Sequence, residues 1–246
     1  MIGQKDKEIQ DIRPEIDSLV GPLMLSAAEA GNTKRLVSTL EFVRNINFAD
    51  DLEETALHKA AAKGHTDIVQ LLLSQGASIE ARSFYTKQTP LNLAAWGGHT
   101  STVELLLSKG ASLEAKDADG WTPLHFAASG GYTNTVEPVL SRGASLETKD
   151  ANGWTPLHRA ASGGHTSTVE LLLSRGASLE AKDPDGWTLL HHAASAGHTS
   201  TAELLLSKGA STEAMNKAGK SPLDLAIYNG YQDTAEFLKS KVTKLI

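Results

Sequence analysis

The nine histidines of this 246-residue chain are the first candidates for chemistry, because histidine binds metals and carries protons near neutral pH. Their spacing points to another role. Four occupy one recurring slot, and four occupy a second slot seven residues beyond the position of the first: His58, His125, His158 and His191, then His65, His99, His165 and His198. Side chains that recur in this way are predicted to be structural. His192 falls outside both slots, and we expect it to be a packing or surface residue.

Acidic residues recur with the same regularity. Two glutamate positions are each found about once per repeat: Glu80, Glu114, Glu147, Glu180 and Glu213, and Glu104, Glu137, Glu170 and Glu203. Acid–base catalysis needs carboxyl groups in unequal environments, whereas a ladder offers equivalent ones, so these glutamates are predicted to be solvated. The sequence also lacks a nucleophile elbow, a phosphate loop and a zinc-protease motif. We therefore expect no enzyme activity, no catalytic residues, no bound metal and no cofactor.

Composition removes further classes of function. Cysteine is absent, which excludes disulfides, thiolate catalysis and cysteine-ligated metals. The formal net charge of −6 disfavours nucleic acid as a partner, because affinity for phosphates comes from Lys and Arg. The apolar runs are too short to cross a bilayer, and residues 1–10 lack the apolar core of a secretory signal. We expect a soluble monomer in the cytoplasm or nucleus that does not insert into a membrane.

The histidines and glutamates are positioned by a repeat of about 33 residues. Thr122-Pro-Leu-His125 returns at Thr155-Pro-Leu-His158, and a glycine marks the same phase in seven units: Gly31, Gly64, Gly98, Gly131, Gly164, Gly197 and Gly230. Thr122 can cap a helix that Pro123 begins and a left-handed Gly131 ends. A leucine-rich second helix follows, then an Asp-Gly turn. Such short helices are marginal alone, so neighbouring units must stabilise each other.

The succession of T-P-L-H, A-A, G-H, a leucine run and G-A resembles the ankyrin repeat family, which has this period. The resemblance implies an all-α solenoid of helix-turn-helix units joined by short hairpin-like loops. It also implies that the slot histidines hydrogen-bond adjacent units together. One domain is expected over 21–246, with repeats at about 21–53, 54–87, 88–120, 121–153, 154–186, 187–219 and 220–246. The first and last are expected to be polar caps, and 1–20 is an N-terminal extension, either a helix packed on the first cap or a loose segment.

Two irregularities interrupt the repeat. Pro138 stands where other units have leucine in the second helix, and it forfeits one helical hydrogen bond. We expect that helix to be bent or shortened. An extra residue near 83–87 lengthens one hairpin loop and places Phe84 and Tyr85 in a polar segment.

The ankyrin resemblance implies that ligands meet the hairpin tips and the exposed side of the first helices, which line the concave face. All four tryptophans map to that face, and Trp is frequent in interface hot spots. They either form the wall of a binding groove or stack on neighbouring hairpins to stiffen them, and the two interpretations are compatible. The predicted protein-binding residues are Trp96, Trp121, Trp154, Trp187, Phe84, Tyr85, Arg82, Lys116, Lys149, Lys182, Arg159, His192 and Tyr228.

The pattern as a whole indicates a non-enzymatic adaptor, scaffold or inhibitor that binds a protein ligand on its concave face. Alternatives are the recognition portion of a larger enzyme or channel, and a microbial effector that targets a host protein. Fold alone does not name the partner.

Overall fold

The computed structural model describes residues 17–242. Over that range the chain forms 14 helices, and its only β-type pairings are isolated bridges. The helices are α1 (17–29), α2 (Thr33–Leu40), α3 (Ala56–Ala62), α4 (Thr66–Ser74), α5 (Pro90–Trp96), α6 (Thr100–Ser108), α7 (Pro123–Ser129), α8 (Thr133–Ser141), α9 (Pro156–Ser162), α10 (Thr166–Ser174), α11 (Leu189–Ser195), α12 (Thr199–Ser207), α13 (Pro222–Tyr228) and α14 (Gln232–Val242).

The helices form two compact units, which divide after Ala118. In the first unit α3 packs on α5 and α4 packs on α6, and α3 also packs on α4 and α5 on α6. In the second unit the first helices of the repeats pack in the order α7, α9, α11, α13, and the second helices in the order α8, α10, α12, α14. The predicted fold class, an all-α ankyrin-type solenoid of helix pairs, is confirmed. Residues 1–16 of the predicted extension lie outside the described range, and residues 17–20 lie in α1.

The first helix of each repeat is short because its two ends are fixed by the sequence. In α9, Thr155 is the N-cap, and its backbone N–H donates to Nδ1 of His158 at 3.2 Å. Pro156 occupies the first turn, where a missing N–H costs nothing. Gly164 follows the helix at φ +72°, a left-handed conformation that favours glycine. The predicted start at Thr122 and the left-handed Gly131 are confirmed in α7.

The second helices supply the apolar layer between repeats. Leu172 and Val169 of α10 are fully buried, and burying one such side chain is worth roughly 1.5–3 kcal/mol. Threonine hydroxyls join consecutive second helices, as between Oγ1 of Thr166 and Oγ1 of Thr201 at 2.9 Å. Each repeat is therefore held by both apolar burial and a polar ladder.

Pro138 lies inside α8 without shortening it. The helix has nine residues, as α4, α6, α10 and α12 do. The expected shortening is therefore wrong, and the difference is found at the helix end. The N–H of Arg142 donates to Leu140, whereas the N–H of Arg175 in α10 donates to three carbonyls of the last turn. The last turn of α8 therefore has fewer backbone hydrogen bonds than that of α10.

The end repeats are less polar than the cap hypothesis predicts. In the last repeat Ile227 is 61% exposed and Tyr228 is 87% exposed. Leu23 and Val37 are exposed in the first. Asp224 replaces the slot histidine and accepts the N–H of Ser221 at 2.8 Å, so the capping function survives the substitution.

Candidate interaction groove in the second unit

Three tryptophans stand at equivalent places in the second unit, each directly before the N-cap of a first helix: Trp121, Trp154 and Trp187. All three are half-buried. A hairpin aspartate orients the second and third. Oδ1 of Asp150 accepts the backbone N–H of Trp154 at 3.0 Å, and Oδ1 of Asp183 accepts the backbone N–H of Trp187 at 2.8 Å. The turn that ends one repeat thereby sets the direction of the next indole.

Arg159 fills the space between the first two indoles. Its guanidinium carbon lies 4.2 Å from the ring centroid of Trp121 and 4.5 Å from that of Trp154. Its Nε donates to Oδ2 of Asp150 at 2.9 Å, and Nη2 contacts the same oxygen. The Asp150 side chain is fully buried and that of Arg159 is 15% exposed. We call this arrangement the closed step, because the cation, the carboxylate and both rings satisfy one another.

His192 holds the equivalent position between Trp154 and Trp187, one repeat further on. Its ring centroid lies 4.3 Å from that of Trp154 and 5.2 Å from that of Trp187. Only 4% of the side chain is exposed. Nε2 lies 3.2 Å from Oδ2 of Asp183, yet the direction is poor for a hydrogen bond and the atom is left without a partner. We call this arrangement the open step.

A groove of about 580 Å³ opens at this second step. Its walls are the indoles of Trp154 and Trp187, and its polar lining includes Arg159, Asp183 and His192. Ser162 and Ser195 from the ends of α9 and α11 line it as well, with the hairpin residues Asn152, Pro184 and Asp185 at its rim. Aromatic walls with a few convergent polar groups are typical of a binding site.

Two buried histidines lie beneath the groove. The ring centroids of His158 and His192 are 5.6 Å apart. Burial lowers the pKa of His158 to about 4. Burial, and next the charge that His158 would carry, lower the pKa of His192 to about 4 as well. Both rings are therefore neutral at neutral pH, and Asp183 faces an uncharged partner where Asp150 faces a cation.

The slot histidines have the structural role that the sequence indicates. Nε2 of His125 and of His191 donates to carbonyls of the following repeat, at 3.0 Å to Trp154 and 2.9 Å to Lys220, and His58 does the same. The second-slot histidines bond back to the preceding repeat: His65, His99, His165 and His198. His158 departs from this pattern, since its Nε2 has no hydrogen bond.

The glutamate ladders are exposed except for the half-buried Glu137. Some of them also bond to the next repeat: Oε1 of Glu80 accepts the N–H of Ser112 at 2.7 Å, and Oε1 of Glu147 accepts that of Ser178 at 2.9 Å.

The other predicted binding residues lie outside the groove. In the first unit Trp96 is 62% exposed at the end of α5, and Phe84 and Tyr85 form an exposed edge-to-face pair with centroids 4.8 Å apart. Arg82 donates to the carbonyl of Lys116 in the same unit. In the second unit Lys149, Lys182 and Tyr228 are exposed. The cation over the indoles is Arg159, so His192 and Arg159 are the predicted residues that meet the tryptophans.

Sequence reasoning missed the aspartates that accompany these residues. Asp150 pairs with Arg159 and Asp183 faces His192, each across a separation of nine residues. The same separation joins Asp50 to Nζ of Lys59 at 2.8 Å in the first unit. Burial by itself raises the pKa of Asp50, but the hydrogen bond from Lys59 and those from the backbone hold it below its ordinary value. An Asp followed nine residues later by Lys or Arg is a sequence pattern that would have predicted these pairs.

A family model for ankyrin repeats matches the chain in three copies, over residues 23–117, 113–183 and 178–245. The chain therefore belongs to the ankyrin repeat family, whose repeats are generally protein-interaction modules. Among curated proteins it is similar to human ankyrin repeat domain-containing protein 49, at 45% identity over 24% of this chain and 25% of that protein. The mouse 60 kDa lysophospholipase is 40% identical over 24% of this chain and 11% of its own length.

A third relative is the ankyrin repeat and KH domain-containing protein mask-1 of Caenorhabditis elegans, at 42% identity over 24% of this chain and 2% of that protein. The matched segments thus cover a quarter or less of these relatives. Among residues 17–242 no group of three or more His, Asp or Glu side chains could hold a metal ion. In the same range no helix is long and apolar enough to cross a membrane.

Proposed function

We propose that this protein is a non-enzymatic interaction module that binds a protein ligand with the hairpin tips and the exposed side of its first helices. We call this surface the tip face. The predicted binding residues named above lie on it, and the exposed aromatic side chains Trp96 and Tyr85 belong to it in the first unit. An adaptor, scaffold or inhibitor would work in this way.

The groove of the second unit is the observation that carries the proposal. It brings two indoles, two serines and four charged or titratable groups together around one opening, and the tight packing beneath fixes them in place. A rigid site loses little conformational entropy on binding. The contacts of Arg159 and His192 with the indoles of neighbouring repeats also support the stiffening interpretation, so both roles that the sequence left open are compatible with this arrangement.

Site-specific photocrosslinking tests the proposal. A photoreactive amino acid is placed at Trp96 or Ser162 on the tip face, with matched controls at Glu104 or Glu170 on exposed second-helix positions of the same units. In a lysate of cells that express the protein, we expect discrete adducts from the tip-face positions and weaker or absent ones from the controls. Equal labelling from both sets of positions would count against the tip face.

A second candidate is the recognition portion of a larger enzyme, and the similarity to the mouse lysophospholipase favours it. An antibody raised against the chain discriminates the two on a denaturing gel of native lysate. A band near 26.1 kDa supports the stand-alone module, and a much larger band supports the second candidate.

A further inference from the structure

The closed step shows, within this molecule, how a guanidinium fits between two of these indoles. Arg159 lies over both rings at 4.2 and 4.5 Å, and it neutralises Asp150, whose side chain is fully buried. Arginine suits such a site because its flat group stacks on aromatic faces while its N–H groups reach a carboxylate. The sequence places the same parts 33 residues later with one difference, which is His192.

The imidazole of His192 lies between the two indoles but makes no hydrogen bond to Asp183. Asp183 has one oxygen occupied by the N–H groups of Asp185 and Trp187, at 2.9 and 2.8 Å. Its second oxygen faces the 96%-buried His192, whose Nε2 makes no hydrogen bond. A buried carboxylate without a cation is unfavourable, and a donor from outside would relieve it.

The charges and rings around the groove indicate which kind of ligand group would donate a hydrogen bond to Asp183. Asp183 lines the groove and the exposed Asp185 lies at its rim, whereas the positive charge of Arg159 is already matched by Asp150. The faces of Trp154 and Trp187 attract cations. A positively charged side chain with several N–H groups complements this lining, and an acidic one does not.

We infer that the groove between Trp154 and Trp187 binds an arginine side chain of the protein ligand, with its guanidinium stacked beside the indoles and directed at Asp183. This inference rests on the proposed function and names the partner chemistry of that site.

Titration with small peptides tests the inference without any knowledge of the partner. The probes are the tripeptides acetyl-Gly-Arg-Gly-amide, its lysine counterpart and its citrulline counterpart, which has the shape of arginine without the charge. The readout is the NMR signal of each indole N–H in the full chain. We expect the arginine peptide to shift Trp154 and Trp187 while Trp96 is unchanged, with weaker lysine binding and none by citrulline.

Two variants locate the effect. Asp183→Asn removes the charge but keeps the turn, because Asn216 at the equivalent place accepts the N–H groups of Ala218 and Lys220 at 3.0 and 2.9 Å. We expect it to weaken arginine binding about tenfold, the loss of one charge-assisted hydrogen bond. His192→Arg should abolish binding because it fills the groove from within. The matched control Asp233→Asn alters an exposed carboxylate on α14 and should bind normally.

Equal binding of the arginine and citrulline peptides, equal binding of the lysine peptide, or unchanged binding in Asp183→Asn would overturn the inference. The outcome is separable from that of the proposed function. Crosslinks on the tip face with no response to the arginine peptide would leave the interaction module standing and remove arginine as the group it recognises.

Discussion

The closed and open steps of the second unit share their flanking indoles and their aspartate, and Arg159 of the closed step is replaced by His192 in the open step. Arg159 donates to its aspartate and fills the space between Trp121 and Trp154, while His192 lies 3.2 Å from Asp183 without a hydrogen bond, and a groove of about 580 Å³ opens at this step. The comparison shows how a repeat protein can acquire a site. The repeated residues build the stack, and the residue that follows the slot histidine decides whether a step is filled or available.

The largest effect is expected from breaking the closed step. Arg159→Ala leaves Asp150 buried and unpaired, and the free energy of unfolding should fall by about 3 to 5 kcal/mol. Urea unfolding followed by circular dichroism measures it. The matched variant Arg159→Ala with Asp150→Asn should recover much of the loss. If the single variant were as stable as the wild type, the ion pair would not hold the step closed.

Mild acid should lower the free energy of unfolding through the two histidines of the open step. His158 and His192 have a pKa of about 4 when folded and about 6.5 when unfolded, so the unfolded chain binds more protons between these values. Their contribution is complete above pH 6.5 and is lost as the pH falls toward 4, by roughly 3 kcal/mol for one such group. Unfolding in urea at a series of pH values measures this.

The comparison with His192→Gln isolates the part of this pH dependence that belongs to the groove, because glutamine does not titrate. Carboxylates such as Asp50 affect the free energy of unfolding at lower pH. The pKa of Asp50 lies below its ordinary value of 3.8, so its stabilisation is lost only as the pH falls below that value. A stability that stays constant from pH 6.5 to 4 would show that the two histidines remain hydrated.

Closing the open step should stabilise the protein by a smaller amount. His192→Arg gives Asp183 the partner that Asp150 has, and we expect a gain of about 1 kcal/mol from the new charge-assisted contact. His192→Gln serves as the control because it is long and uncharged. Differential scanning calorimetry reports the midpoint of each variant, and a lower midpoint for the arginine variant would show that the groove does not accept a guanidinium.

The smallest effect concerns α8, which lies outside both steps. Pro138→Leu restores a backbone N–H and the leucine of the equivalent helices, and the expected gain is about 1 kcal/mol. The unfolding midpoint in urea measures it. A loss of stability would indicate that the packing around α8 is adapted to proline.

Much of the fold could be predicted because the residues that begin and end each helix recur in every repeat. The capping Thr155, the proline after it and the glycine that ends the helix act through local backbone geometry, which a sequence shows directly. The open step could not be predicted in the same way. It depends on the direction in which Nε2 of His192 faces Asp183, and on the burial that keeps its ring neutral, and both follow from packing between repeats.

The sequence did place Trp154, Trp187 and His192 on one predicted binding face, but it described His192 as a packing or surface residue and gave it no further role. The unfilled hydrogen-bond position on its Nε2 is a property of the folded stack. The behaviour of α8 has a similar origin, because neighbouring second helices hold its length at nine residues in spite of Pro138.

The affinity of the crosslinked ligand for wild type and for His192→Arg tests the central claim most directly, because one substitution should move stability and binding in opposite directions. The account predicts a variant that melts at a higher temperature and binds the ligand at least about tenfold more weakly, as expected for losing one charge-assisted contact. Unchanged affinity in a more stable variant would contradict the claim that the open step is the working part of this protein.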